Sequence, residues 1–259
     1  PGHVTRPDDS RSPAPYRPAP AAAGLLALGL VVSSVIVSRA GVRAMRIKHA
    51  DQTISVTGSA RVRIRSDLAI WSCVVTVRGT EMAAASTALA AQIPRVREWL
   101  LGQGTRADEI SLEPVGVAET HPYNSEGNEL ADQVNGYRLT QELRVTSHDV
   151  DRVRRVATDV TTLIGQNIQI SSEAPRYLYT QLAQLKPRLL AEASRDARER
   201  AERIAQQSHA QISVLSNARM GVIQVNAANE TETSSEGVND TGSIEKDALG
   251  VVHSVFYTE

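Results

Sequence analysis

Cysteine is almost missing from this chain. Cys73 stands alone among 259 residues, which excludes an internal disulfide and any metal site built from several thiolates. Aromatic residues make up only 3%, so the core must be assembled from Ala, Val, Leu and Ile. No excess of either charge exists: 28 basic residues meet 29 acidic ones, and a net charge of −1 gives no global field for nucleic acid. The charge is unevenly placed, with Arg39, Arg43, Arg46 and Lys48 early and Glu230, Glu232, Glu236 and Asp240 late.

The motifs of common chemistries are equally scarce. His3, His49, His121, His148, His209 and His253 never fall at ligand spacing, and no H-E-x-x-H occurs, so a zinc site has no support. There is no G-x-S-x-G and no P-loop. Gly102-Gln103-Gly104-Thr105-Arg106-Ala107 matches G-x-G-x-x-A, but it follows a predicted helix and precedes a strand. A dinucleotide loop needs the reverse order, so these glycines read as a helix C-cap. Ser243-Ile244-Glu245-Lys246 satisfies S-x-x-K without the S-D-N and K-T-G elements that acyl-enzyme chemistry requires. Cys73 sits in a Val-rich strand and reads as an inert buried thiol. Asn229-Glu230-Thr231 and Asn239-Asp240-Thr241 are formal sequons in a loop that reads as a solvated hairpin tip. The sequence therefore offers no catalytic, cofactor-binding or metal-ligating residues, and the expectation is a protein that is not an enzyme.

What is present begins with a Pro-rich segment, 1–20, whose composition is that of a disordered tail. Residues 21–38 then run without a charge, near the length needed to cross a bilayer core. A buried core helix, a cleaved signal peptide and an uncleaved anchor compete for this run. The missing polar face argues against the first, and Arg39 inside Ser38-Arg39-Ala40 argues against the second. We read an uncleaved single-pass anchor, a linker over 39–51, and an exported domain over 52–259.

Within that domain the strongest signal is Tyr177 to Ala210. Leu178, Leu182, Leu185, Leu189, Ala193, Ala197, Ala201 and Ile204 form one helical stripe, opposite charge pairs such as Arg188 with Glu192. Its Ala run predicts a close approach to a sheet. Pro187 is expected to set the first turns apart, and Pro94 to kink or break an earlier helix. Strands are expected from Gln52, over 68–78, 110–120, about 137–145, 167–172, 211–225 and 248–257. Helices are expected after Gly79-Thr80, and after Ser147 as cap with Gly165 closing it. The order predicts an α+β fold of two interleaved helix-on-sheet subdomains. One is a ferredoxin-like β-α-β-β-α-β unit over 67–174; the other joins 52–66 to 176–259 as a second layer of helix and β-hairpin.

Several short motifs carry a resemblance. Ile54-Ser55-Val56-Thr57-Gly58-Ser59-Ala60 resembles the opening I-x-V-x-G-x-G/A strand of SIMPL-domain proteins. Asp67-Leu68-Ala69 is similar to the D-x-A that starts their second strand, and Gly136-Tyr137-Arg138 to their G-Y-R. Tyr177-Leu178-Tyr179-Thr180, Leu185-Lys186-Pro187, Ala197-Arg198-Glu199-Arg200-Ala201 and 238–246 resemble one bacterial branch. The resemblance implies interleaved subdomains and a periplasmic or envelope setting. It further implies a link to oxidative-stress defence in some members and homo-oligomeric ring or channel-like assembly in at least one. It carries no catalytic motif.

The expectation is thus a non-enzymatic envelope protein held in the bacterial inner membrane through residues 21–38, its folded domain on the periplasmic side. It is expected to self-assemble as a homo-oligomeric scaffold, with no nucleic-acid partner. The alternatives are a signalling adaptor that binds a protein partner through Asn229–Ser243, and an enzyme with an unrecognised site.

Overall fold

A computed structural model describes residues 52–259, and the expected tail, anchor and linker lie outside the described residues. The fold is α+β, with two antiparallel sheets and three α-helices among the described residues. Among them no helix is long and apolar enough to cross a membrane.

The larger sheet is built on β2 (Leu68–Gly79) and β5 (Gly136–Ser147), which pair along their whole length. Alternation sends Ala69, Trp71, Cys73, Val75 and Val77 of β2 to one face, with Leu139, Leu143 and Val145 of β5 beside them. Helix α1 (Met82–Gly102) covers that face with Ala85, Leu89, Ile93, Val96 and Leu100, and α2 (Val150–Asp159) adds Val150, Val153, Val156 and Ala157. Beyond β5 lie β3 (Ile110–Leu112) and β4 (Gly116–Thr120); beyond β2 lie β6 (Ile170–Ser172) and β7 (Arg176–Leu178).

The smaller sheet is narrower and longer. β1 (Thr53–Arg65) pairs with β10 (Glu245–Thr258) from Thr53↔Tyr257 to Arg65↔Glu245. The other side of β10 takes β8 (Ile212–Met220) and then β9 (Gln224–Ala227). Helix α3 (Leu182–Gln207) lies on this sheet through Leu185, Leu189, Ala193, Ala197, Ala201 and Ala205. Its Ala run does bring helix and strand backbones together: a Cβ on Gly58 would stand 2.2 Å from the Ala193 carbonyl oxygen.

One joint laces the sheets. The Ser66 N–H donates to the Ile244 carbonyl (2.8 Å) and the Asp67 N–H to that of Leu178 (2.9 Å). The Asp67 carboxylate accepts from the backbone N–H of Thr180 (2.8 Å) and from its hydroxyl (2.9 Å), just before α3.

Several boundaries differ from the sequence reading. The expected strand over 110–120 is divided at Pro114, which has no N–H to give a ladder. The expected strand over 211–225 is divided too. Met220 opposes Val252 and Gln224 opposes Leu249, so three residues face two and the chain bulges. Residues 176–178 form a strand on β2, placing them with the larger sheet, and α3 starts only at Leu182. Pro187 and Pro94 each sit inside an unbroken helix, because the buried stripes continue on both sides of them. Asp149 caps α2 by accepting from the Arg152 N–H, while the Ser147 hydroxyl accepts from the Asp149 N–H and the Arg152 guanidinium and donates to Glu109. The helix continues as a 3₁₀ turn that ends at Asn167 with φ 60°, so Gly165 is not its stop.

Candidate functional site

The smaller sheet has two borders, and they are finished differently. Along β1, α3 lies against Gly58, and Asp196 Oδ2 accepts the Ser59 N–H at 2.8 Å. That carboxylate is held below the usual range by the Arg200 guanidinium and by the Ser59 N–H itself. Arg61, Arg63 and Arg65 add charge along the same strand. Such plugs and charges keep a strand edge from pairing with another chain.

On the opposite border, β9 is covered by the stretch that follows it. Val225 forms a parallel bridge with Asn239, its N–H donates to the Val238 carbonyl (2.8 Å), and its own carbonyl accepts from the Asp240 N–H (2.8 Å). Buried Gln224 donates to the Val222 and Ser234 carbonyls and accepts from the Val238 N–H at 2.6 Å; Asn226 donates to the Glu232 carbonyl. The acidic stretch is therefore stitched onto the sheet edge at 238–240, while residues 229–236 are exposed, as the solvated reading of its composition expected. Asn229 of the first sequon has φ 70° and its side-chain oxygen accepts from Arg63.

Lys246 completes this stitching. Its side chain is 1% exposed, and its ammonium donates to both the carboxylate (3.0 Å) and the backbone carbonyl of Asp240. Burial pushes the Asp240 carboxyl up, but the Gly242 N–H and the Lys246 ammonium outweigh it and hold the group below its ordinary value. The lysine of the S-x-x-K match thus serves a loop clasp, and the Ser243 carbonyl accepts from the Ser66 hydroxyl (3.3 Å). Next in sequence, buried Asp247 accepts from Arg63 (2.6 Å) and from the Asn229 N–H (2.9 Å).

Among the described residues β8 receives neither kind of cover. From Val214 to Met220 every residue is exposed, with Val214 64%, Leu215 51% and Met220 40% accessible. Its register with β10 sets Leu215 opposite Phe256 and Met220 opposite Val252, on the face that α3 covers elsewhere. Only one charged residue, Arg219, and no Pro or Gly lies in this strand. An unshielded apolar edge is a template for strand addition. The sequence signal was there in the adjacent Val214-Leu215 within a nearly uncharged run, but it is indistinguishable from a buried strand until the neighbours are known.

The remaining candidates resolve as follows. Cys73 points into the main core, where burial, with smaller help from Glu142 and Glu173, pushes its thiol up to about 12. On the opposite face of β2 lies an open groove of about 620 Å³ whose lining includes Ser72, Glu142, Arg144, Glu173 and Arg176. There the Ser72 hydroxyl (2.6 Å) and the Arg144 guanidinium (2.9 Å) bond Glu142 and hold its carboxyl low. Gly104 has φ +82°, and the Leu100 carbonyl accepts from the Thr105 N–H (3.1 Å), the geometry of a helix C-cap. His253 lies mid-strand on β10, bonded to the hydroxyls of Ser55 (3.1 Å) and Thr57 (3.2 Å). Among the described residues no three His, Cys, Asp or Glu side chains stand together as a metal site would need.

Compared with known families, residues 54–249 match the family described as "SIMPL: Protein of unknown function (DUF541)". No curated protein matches the chain.

Proposed function

The chain belongs to the SIMPL family, and from that premise we propose that it is a non-enzymatic envelope protein that self-assembles by strand addition at β8. Residues 21–38 anchor it in a bacterial inner membrane, and the α+β domain stands on the periplasmic side as a homo-oligomeric scaffold linked to stress defence. Its larger sheet reads as the ferredoxin-like unit, with β2 between β5 and β6. The observation that supports assembly is the contrast between borders among the described residues: β1 is plugged by Asp196, β9 is covered by the acidic stretch, and β8 is left bare.

A second copy suits this edge. Two β8 strands paired antiparallel about a two-fold axis place no like charges opposite each other unless the axis passes through Arg219. Leu215 and Met220 of both copies would then shield one another. A two-fold contact closes at a dimer, so a ring needs a further contact between dimers. Anchoring adds avidity, because clustered subunits share several weak anchors.

The full chain extracted in mild detergent and weighed by light scattering tests this. A discrete oligomer is expected, which the double variant Leu215→Lys/Asn217→Lys reduces in size with unchanged circular dichroism. A monomeric wild type at high micromolar concentration, or an unaltered mass in the variant, refutes the reading.

The adaptor alternative has one observation in its favour. The Asn229–Ser243 stretch is held in shape by Gln224, Asn226 and Lys246, and a pre-shaped loop loses less entropy on binding. Replacing the exposed Glu230, Glu232 and Glu236 of that stretch by Gln should then abolish partner capture while the oligomer persists.

A further inference from the structure

On the face of the larger sheet opposite α1 and α2, Arg78 of β2 lies directly opposite Arg138 of β5, and Thr76 directly opposite Thr140. Val75, Val77 and Leu139 are buried in the core, so these four side chains share the other face. Both arginines are exposed. Among the described residues neither guanidinium has a hydrogen-bond or ion-pair partner, and neither threonine hydroxyl is bonded. On the same sheet Arg144 is matched by Glu113 and Glu142, and on the smaller one Arg63 by Asp247 and Arg65 by Glu245 and Asp151. Like charges directly across an antiparallel pair oppose folding, so the pair is not explained by stability.

The surroundings keep the four groups open. Gly116 and Ala118 of β4 oppose Thr140 and Arg138. A Cβ on Gly116 would come within 2.9 Å of the Thr140 hydroxyl oxygen, so glycine there leaves that hydroxyl uncovered. The nearest acid along this face of β5 is Glu142, already engaged by Ser72 and Arg144.

We propose that Arg78, Arg138, Thr76 and Thr140 form a binding site for a phosphate-type oxyanion, specifically a phosphomonoester dianion. Facing Cα atoms in such a ladder are about 4.5–5.5 Å apart, so two guanidinium forks can converge on one tetrahedral group. A dianion cancels both positive charges, whereas a carboxylate cancels one. The threonine hydroxyls donate to the remaining oxygens. The group can come from a soluble phosphomonoester or from a phosphatidic-acid headgroup.

The test uses the full chain held in phosphatidylcholine nanodiscs at constant ionic strength. Inorganic phosphate is titrated by calorimetry, and capture of added vesicles is compared with and without phosphatidic acid. Saturable binding of one phosphate per chain is expected. It weakens at least about tenfold in Arg78→Ala/Arg138→Ala, the loss of charge-assisted hydrogen bonds, and is unchanged in Arg219→Ala. Because a like-charge pair is relieved, Arg138→Ala alone should melt no lower than wild type, which separates lost binding from lost folding. Vesicle capture that needs both phosphatidic acid and the two arginines assigns the group to lipid; phosphate binding without capture assigns it to a soluble ligand. No saturable phosphate binding, or equal affinity in the double variant, overturns the site.

Discussion

The Lys246 ammonium stands 3.0 Å from the Asp240 carboxylate at the beginning of β10, with the lysine 1% exposed and the aspartate 19%. In register Lys246 lies between Ile64 of β1 and Ala227 of β9, on the helix-side face of the sheet. A cation is tolerated there because two oxygens of Asp240 receive it. The clasp closes the stretch that covers β9, which leaves β8 as the open part of that border among the described residues.

Replacing Lys246 by Met keeps the volume and removes the cation. Asp240 then loses its counter-charge, and the expected cost is about 3 kcal/mol, the low end for a broken buried pair because the carboxylate keeps some solvent. Lys246→Met/Asp240→Asn should recover part of that loss. Urea unfolding of the full chain measures both, and a single variant as stable as wild type would show the clasp to be dispensable.

Acid should weaken the fold. Asp247 is held low chiefly by its hydrogen bond to Arg63, Asp196 by Arg200, Glu142 by the Ser72 hydroxyl, and Asp240 by bonds that outweigh its burial. A carboxyl whose folded pKa lies below its unfolded one stabilises fully above the unfolded value, about 4, and loses that contribution as pH falls through the folded value. Urea midpoints are therefore expected to be flat from about pH 5 to 7 and to drop below about pH 4. Equal midpoints at about pH 3 and pH 7 would contradict this.

Gly58 tests the close approach of α3. A Cβ there would meet the Ala193 carbonyl oxygen at 2.2 Å and the Ala197 nitrogen at 2.4 Å, both backbone atoms that cannot swing aside. Gly58→Ala should cost about 3 kcal/mol through overpacking. Gly102→Ala is the control: nothing lies within 4 Å of its Cβ, and it ends α1, so the change should be neutral or slightly stabilising. Thermal melts of the two variants decide it; similar losses in both would rule out a contact-specific cause.

How much could be read without coordinates follows from the range of each signal. The stripe Leu185, Leu189, Ala193, Ala197, Ala201 and the alternation of β1 and β2 are local, and each marks a buried face whichever partner supplies it. The α+β class and the order of the helices follow from such patterns. The C-cap at Gly104 and the inert Cys73 were equally legible, since one needs only a positive φ and the other an apolar strand.

The bulge between β8 and β9, the covering of β9 and the pairing of Arg78 with Arg138 carry no such local mark. Each depends on which residue a distant strand sets alongside, and register is chosen by the whole packed sheet. An apolar strand reads identically whether it gains one neighbour or two. The amino-acid order by itself determined which faces must be buried; only the tertiary structure decided which edge goes without a partner among the described residues. Burial is a property of a side chain, whereas an open edge is a property of the neighbour that is not there.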